Sequence, residues 1–84
     1  MSTISELAGE LEALKEGAEG LSTKCTELVS EFDEAIAEAN RLGVDSSRIE
    51  SAKARVEEII NEISSLMSSV DEAKTTTESA GEPS

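Results

Sequence analysis

Nineteen carboxylates against seven basic side chains are the groups in this chain with chemistry to offer. They gather in short runs: Glu31 with Asp33 and Glu34, Glu57 with Glu58, and Asp71 with Glu72. Clustered carboxylates can hold a hard cation or share a proton. Consecutive residues on a helix diverge by roughly 100°, however, so these runs do not converge on an ion, and no calcium-loop spacing is present. They read as solvated helix faces. The chain has no His, which removes the usual proton carrier near neutrality and any Ser-His-Asp or Cys-His arrangement. A single cysteine, Cys25, allows no intrachain disulfide, and zinc would have to rely on it and carboxylates alone. The scattered glycines form no phosphate-cradling loop. The expectation is a protein that is not an enzyme, with no catalytic, cofactor-binding or metal-binding residue and no small-molecule substrate.

The charge balance also bears on partners. A net charge of −12 argues against nucleic acid, whose phosphates require clustered Lys and Arg, and against an anionic membrane surface. The longest apolar runs are two or three residues, so no membrane insertion is expected. Residues 1–10 show no cationic start and no continuous apolar run, so the chain reads as cytoplasmic when synthesised, which leaves signal-less secretion open. Its 84 residues suffice for one domain.

Carboxylates on helix faces need helices to carry them, and the apolar spacing supplies two. Ile4, Leu7, Leu11, Leu14, Ala18, Leu21, Cys25, Leu28, Phe32, Ala35, Ala39 and Leu42 alternate at steps of three and four. Ile49, Ala52, Val56, Ile59, Ile63, Leu66, Val70 and Ala73 do the same. Such spacing keeps one stripe of each helix apolar and predicts an all-α antiparallel helical hairpin, coiled-coil-like, able to dimerise into a four-helix bundle. The expected bounds are a helix over 3–42, a turn over 43–46, a helix over 47–74 and a disordered acidic tail over 75–84. Thr3 with Glu6 has capping-box spacing. Gly17 and Gly20 make 17–20 the weak point of the first helix, where a kink or a fold-back would cost least. Gly43 suits a C-terminal position with positive φ. The second helix offers two starts: Asp45 as cap with a Val44–Ile49 staple, or Ser47 as cap with Glu50.

Treating the two ladders as a and d positions pairs Leu42 with Ile49, Phe32 with Ile59, Cys25 with Leu66 and Ala18 with Ala73. On one flank this register brings Glu38 and Glu31 near Arg48 and Arg55, and Lys24 near Glu62, with complementary signs. The other flank carries Val29, Ile36, Ile60 and Met67, an apolar strip that a two-helix hairpin does not use and a larger bundle buries. A second helix ending near Ala73 leaves Ile4, Leu7, Leu11 and Leu14 without an intrachain partner. These eight residues are the expected partner-binding set.

A chain of this length without a signal peptide, with two helices around a short Gly-containing turn and a polar tail, resembles the small helical-hairpin proteins of type VII secretion systems. Arg41-Leu42-Gly43 stands where that family carries Trp-x-Gly, and the chain has no Tyr for an aromatic export signal. The resemblance implies a homodimer or heterodimer built as a four-helix bundle, often escorting a larger toxin. The leading expectation is a self-associating protein–protein interaction module with an acidic surface. Its alternatives are a secretion-linked adaptor, chaperone or escort for a larger protein, and a capsid or filament subunit.

Overall fold

The computed structural model describes residues 3–81, with α1 over Thr3–Leu42 and α2 over Ser47–Ala80. The two helices pack antiparallel along their length in a rod of 67 × 17 × 12 Å. The chain is an all-α helical hairpin. Helix α1 runs without interruption through Gly17 and Gly20, the weak point of its sequence. Thr3 is already helical, and the residues ahead of it, which an N-terminal cap would involve, lie outside the described residues.

The turn is built on glycine. Gly43 takes φ +71°, a left-handed conformation that side chains with a Cβ resist. Its N–H donates to the Asn40 carbonyl at 3.3 Å, and the Val44 N–H donates to the Ala39 carbonyl at 2.8 Å. These two bonds form a Schellman motif and satisfy carbonyls that α1 leaves open. Neither expected start of α2 is adopted as such. Ser46 is the cap residue, without a side-chain cap bond, and its hydroxyl reaches Glu50 Oε2 at 3.0 Å. Asp45 instead accepts the Ser47 N–H through Oδ1 and the Ser47 hydroxyl through Oδ2, each at 3.0 Å.

Helix α2 continues past the expected end at 74 and into the stretch read as a tail. Thr77 is half-buried in line with Val70 and Ile63, so a threonine extends a column whose other members are apolar. A Cβ placed on Gly81 would sit 2.8 Å from Ile4 Cγ2, so the end of α2 meets the beginning of α1 closely. The start of α1 therefore has α2 beside it and is not an overhang. Residues 82–84, the rest of the expected tail, lie outside the described residues.

The seam differs from the expected one by a rotation of each helix. On α1 it comprises Leu11, Ala18, Cys25, Phe32 and Ala39 together with Ala8, Lys15, Ser22, Val29 and Ile36, all buried or half-buried. On α2 it comprises Ile49, Val56, Ile63, Val70 and Thr77 together with Lys53, Ile60, Met67 and Lys74. Each helix keeps one expected column at the seam and exchanges the other for its neighbour, a turn of roughly 50° about its axis, one column in seven. Ile59, expected opposite Phe32, is 43% exposed. At the centre, Ala18, Cys25 and Ile63 form the buried cluster, with Val56, Ile60 and Met67 packed on it.

Three ion pairs fix the register. Lys15 Nζ lies 3.1 Å from Asp71 Oδ1, Lys53 Nζ 2.6 Å from Asp33 Oδ1, and Lys74 Nζ 2.8 Å from Glu12 Oε2. Moving toward the start of α1 from Lys15 to Glu12 matches moving toward the end of α2 from Asp71 to Lys74, so the pairs describe one antiparallel alignment. That alignment sets Ala39 against Ile49, Phe32 against Val56, Cys25 against Ile63 and Ala18 against Val70.

Candidate interaction surface

The displaced column leaves an apolar surface uncovered. Leu7, Leu14, Leu21, Leu28, Ala35 and Leu42 recur every seven residues down α1, and every one is exposed. Ile59, Leu66, Ala73 and Ala80 do the same on α2. In an antiparallel pair, equivalent columns flank the same side of the seam. The two columns thus merge into one apolar face, with Leu28 level with Ile59 and Leu21 level with Leu66. Exposure along it is high: Leu14 50%, Leu21 54%, Leu28 38%, Leu66 45% and Leu42 65%. Toward the turn, small side chains hollow the face into an open groove of about 360 Å³ lined by Ala35, Ala39, Leu42, Val44 and Ile49, with Glu34 and Glu38 also on its wall.

The residues expected to bind a partner divide into two groups. Ile4, Leu7 and Leu14 are exposed, at 40%, 45% and 50%, while Leu11 is half-buried against α2. Val29, Ile36, Ile60 and Met67, expected on an outer strip, are half-buried in the seam instead, where Ile60 and Met67 pack on the central cluster. Leu21, Leu28, Ile59 and Leu66, expected in the core, stand on the surface. The signal for this exchange lies in the column of Val29 and Ile36: it also contains Lys15, and its α2 counterpart contains Lys53 and Lys74. These lysines lay their stems over the seam and carry their ammonium groups to acidic side chains on the far flank.

That far flank is polar and charged. The partner carboxylate draws up the pKa of Lys15, Lys53 and Lys74, chiefly through the hydrogen bond to Asp71, Asp33 and Glu12 respectively. The same bond to Lys74 lowers Glu12. The three pairs are spread along the rod and do not gather into a reaction centre. Among the described residues, no group of three or more His, Cys, Asp or Glu could hold a metal ion. Cys25 is 6% exposed beneath this architecture, packed as a small apolar side chain.

The charges expected to lock the hairpin from its leucine side do not meet within the chain. Lys24 pairs with Glu27 at 3.7 Å and Arg41 with Glu38 at 3.9 Å, each within α1 and well exposed. Among the described residues, Arg48 and Arg55 make no ion pair within the chain. Rotation of the helices has carried these residues to the outer edges of the apolar face.

No protein-family model matches the chain, and neither the curated proteins nor the solved structures contain a significant match to it. Its shape is that of a small helical hairpin, and no relative links it to type VII secretion. Among the described residues, no helix is long and apolar enough to cross a membrane.

Proposed function

We propose that this protein is a non-enzymatic protein–protein interaction module, a hairpin that self-associates through its leucine face into a four-helix bundle and presents an acidic exterior. The observation that carries this reading is the imbalance between what the hairpin buries and what it leaves open. Ile63 and Val70 are the only buried side chains larger than Ala or Cys among the described residues, whereas nine large apolar side chains are exposed. Burying one Leu or Ile contributes roughly 1.5–3 kcal/mol, so a second hairpin covering this face offers a substantial further gain. A face three columns wide on each helix is the pattern of a bundle, not of an isolated pair.

Sedimentation velocity across a concentration series tests the reading. The expected result is a dimer that becomes monomeric when Leu21→Glu and Leu66→Glu are combined. A wild-type chain that stays monomeric, and gains helicity when mixed with another helical protein, would replace this reading with an adaptor or escort that uses the same face.

A further inference from the structure

The leucine face is bordered on both sides by charge, and the order of that charge determines how a second copy can sit. Along the outer edge of α1 run Lys24, Glu31 and Glu38; along the outer edge of α2 run Arg48, Arg55 and Glu62. All six are exposed. In the hairpin's own alignment, Glu38 is level with Arg48, Glu31 with Arg55 and Lys24 with Glu62. Within one chain these partners stand on opposite borders, with both leucine columns between them.

Resting on the self-association reading above, we infer that the second copy docks with the twofold axis parallel to the helices, so that α1 of each copy lies antiparallel on α2 of the other and both turns share one end. Two twofold arrangements bring leucine face against leucine face. When the axis runs along the bundle, heights are preserved and left and right are exchanged. Glu38, Glu31 and Lys24 then meet Arg48, Arg55 and Glu62 of the second copy, and the symmetry repeats each pair. The same operation layers Leu28 on Ile59 and Leu21 on Leu66, and brings Leu42 and Val44 of both copies to the same end.

When the axis runs across the bundle, α1 lies on α1 and α2 on α2. The middle of α1 falls near Lys24, so Lys24 meets Lys24 of the second copy and Glu38 meets Glu10. On α2, Glu62 meets Glu62. Like charges across an interface are costly, and opposite charges select register and orientation. The exposed pairs that Lys24 and Glu38 form within α1 hold them weakly and yield to an intermolecular partner. The signs thus favour the first arrangement at all three levels; the second, even with its axis shifted by half a heptad so that Lys24 meets Glu31 and Arg55 meets Glu62, leaves Glu38 and Arg48 opposite Gly17 and Ser69.

Two measurements decide it. The first mixes charge-reversal variants. Glu31→Arg and Arg55→Glu should each raise the dimer dissociation constant on the order of tenfold, since each places two like-charge pairs across the interface. An equimolar mixture of the two should form a heterodimer in preference to either homodimer, because every such pair is opposite again. No preference for the mixed species overturns the proposed pairing.

The second places a spin label at Arg41→Cys, on the outermost column near the turn, in a Cys25→Ala background. A label separation set by the width of the bundle, well below the 67 Å length of the hairpin, is the expected outcome. A separation approaching that length overturns the orientation while leaving the dimer standing. A labelled wild-type-like chain that never dimerises removes the self-association reading itself.

Discussion

Lys53 Nζ lies 2.6 Å from Asp33 Oδ1, reaching from the seam of α2 to the polar flank of α1, and Lys15–Asp71 and Lys74–Glu12 repeat the arrangement farther along the rod. The lysine side chains are only 26–30% exposed, so their stems cover the seam while their charges leave it. The three pairs form only in the observed rotational setting: rolling the helices back to the alternative seam would carry all three lysines away from their partners and bury the leucines.

Reversal of one such pair follows directly. Lys53→Glu should lower Tm modestly, since the new carboxylate would face that of Asp33, and the double variant Asp33→Lys with Lys53→Glu should recover most of the loss. Added salt should shrink the difference, as it does for any exposed pair. Circular-dichroism melts of the wild type, the two single variants and the double variant check this. Failure of the double variant to recover would mean that Lys53 acts through its stem and not its charge.

Ile63 and Leu66 are three residues apart on α2 but occupy different environments. Ile63 is 5% exposed in the central cluster, whereas Leu66 is 45% exposed on the leucine face. Ile63→Ala should destabilise the folded hairpin by about 2–5 kcal/mol, the range for emptying a buried Ile site. Leu66→Ala should leave the melting of a dilute, monomeric sample nearly unchanged and instead weaken self-association at higher concentration. Chemical denaturation at two protein concentrations separates the two effects. Equal losses at low concentration would show that Leu66 is part of the hairpin's own core.

Much of this architecture is legible in the residues. Gly43 after Leu42 marks the turn, and apolar steps of three and four mark two helices. Three adjacent apolar columns on each helix are also visible, including the one carrying Val29 and Ile36. Which two of the three form the seam is not. The column of Leu14 and Leu21 and the column of Ser22 and Val29 stand at equal angles on either side of Cys25, so spacing cannot rank them, and hydrophobicity alone favours the leucines. The residues that distinguish the observed seam are Lys15, Lys53 and Lys74, whose acidic partners become apparent only once α2 is aligned with α1. The end of α2 is hidden for a related reason. Thr77 occupies a seam position without being apolar, so the periodic signal fades at Ala73 while the helix goes on.

Glycine substitutions should act in opposite directions. At Gly43, φ +71° favours a residue without a Cβ, so Gly43→Ala should cost about 1–2 kcal/mol. At Gly20, on the outer face of α1, a Cβ meets nothing within 4 Å, and Gly20→Ala should stabilise the helix by about 1 kcal/mol. Thermal melts of the two single variants provide the check. A stabilising Gly43→Ala would contradict the left-handed turn.

Asp45 provides the pH test. Its carboxylate accepts the backbone N–H and the hydroxyl of Ser47, the first being the larger influence, and both bonds favour the ionised form, so its pKa falls below the ordinary 3.8. A carboxyl group whose pKa is lowered on folding adds stability above its unfolded value, and that stability is lost as pH falls through the folded value. Acidification also relieves the repulsion within a chain of net charge −12, which acts on any variant alike and can raise Tm. The informative quantity is therefore the Tm gap between the wild type and Asp45→Ala. It should be full near neutrality, begin to narrow as pH approaches 3.8, and close below the folded pKa. Parallel profiles across that range would show that the bonds from Ser47 do not depend on the charge of Asp45.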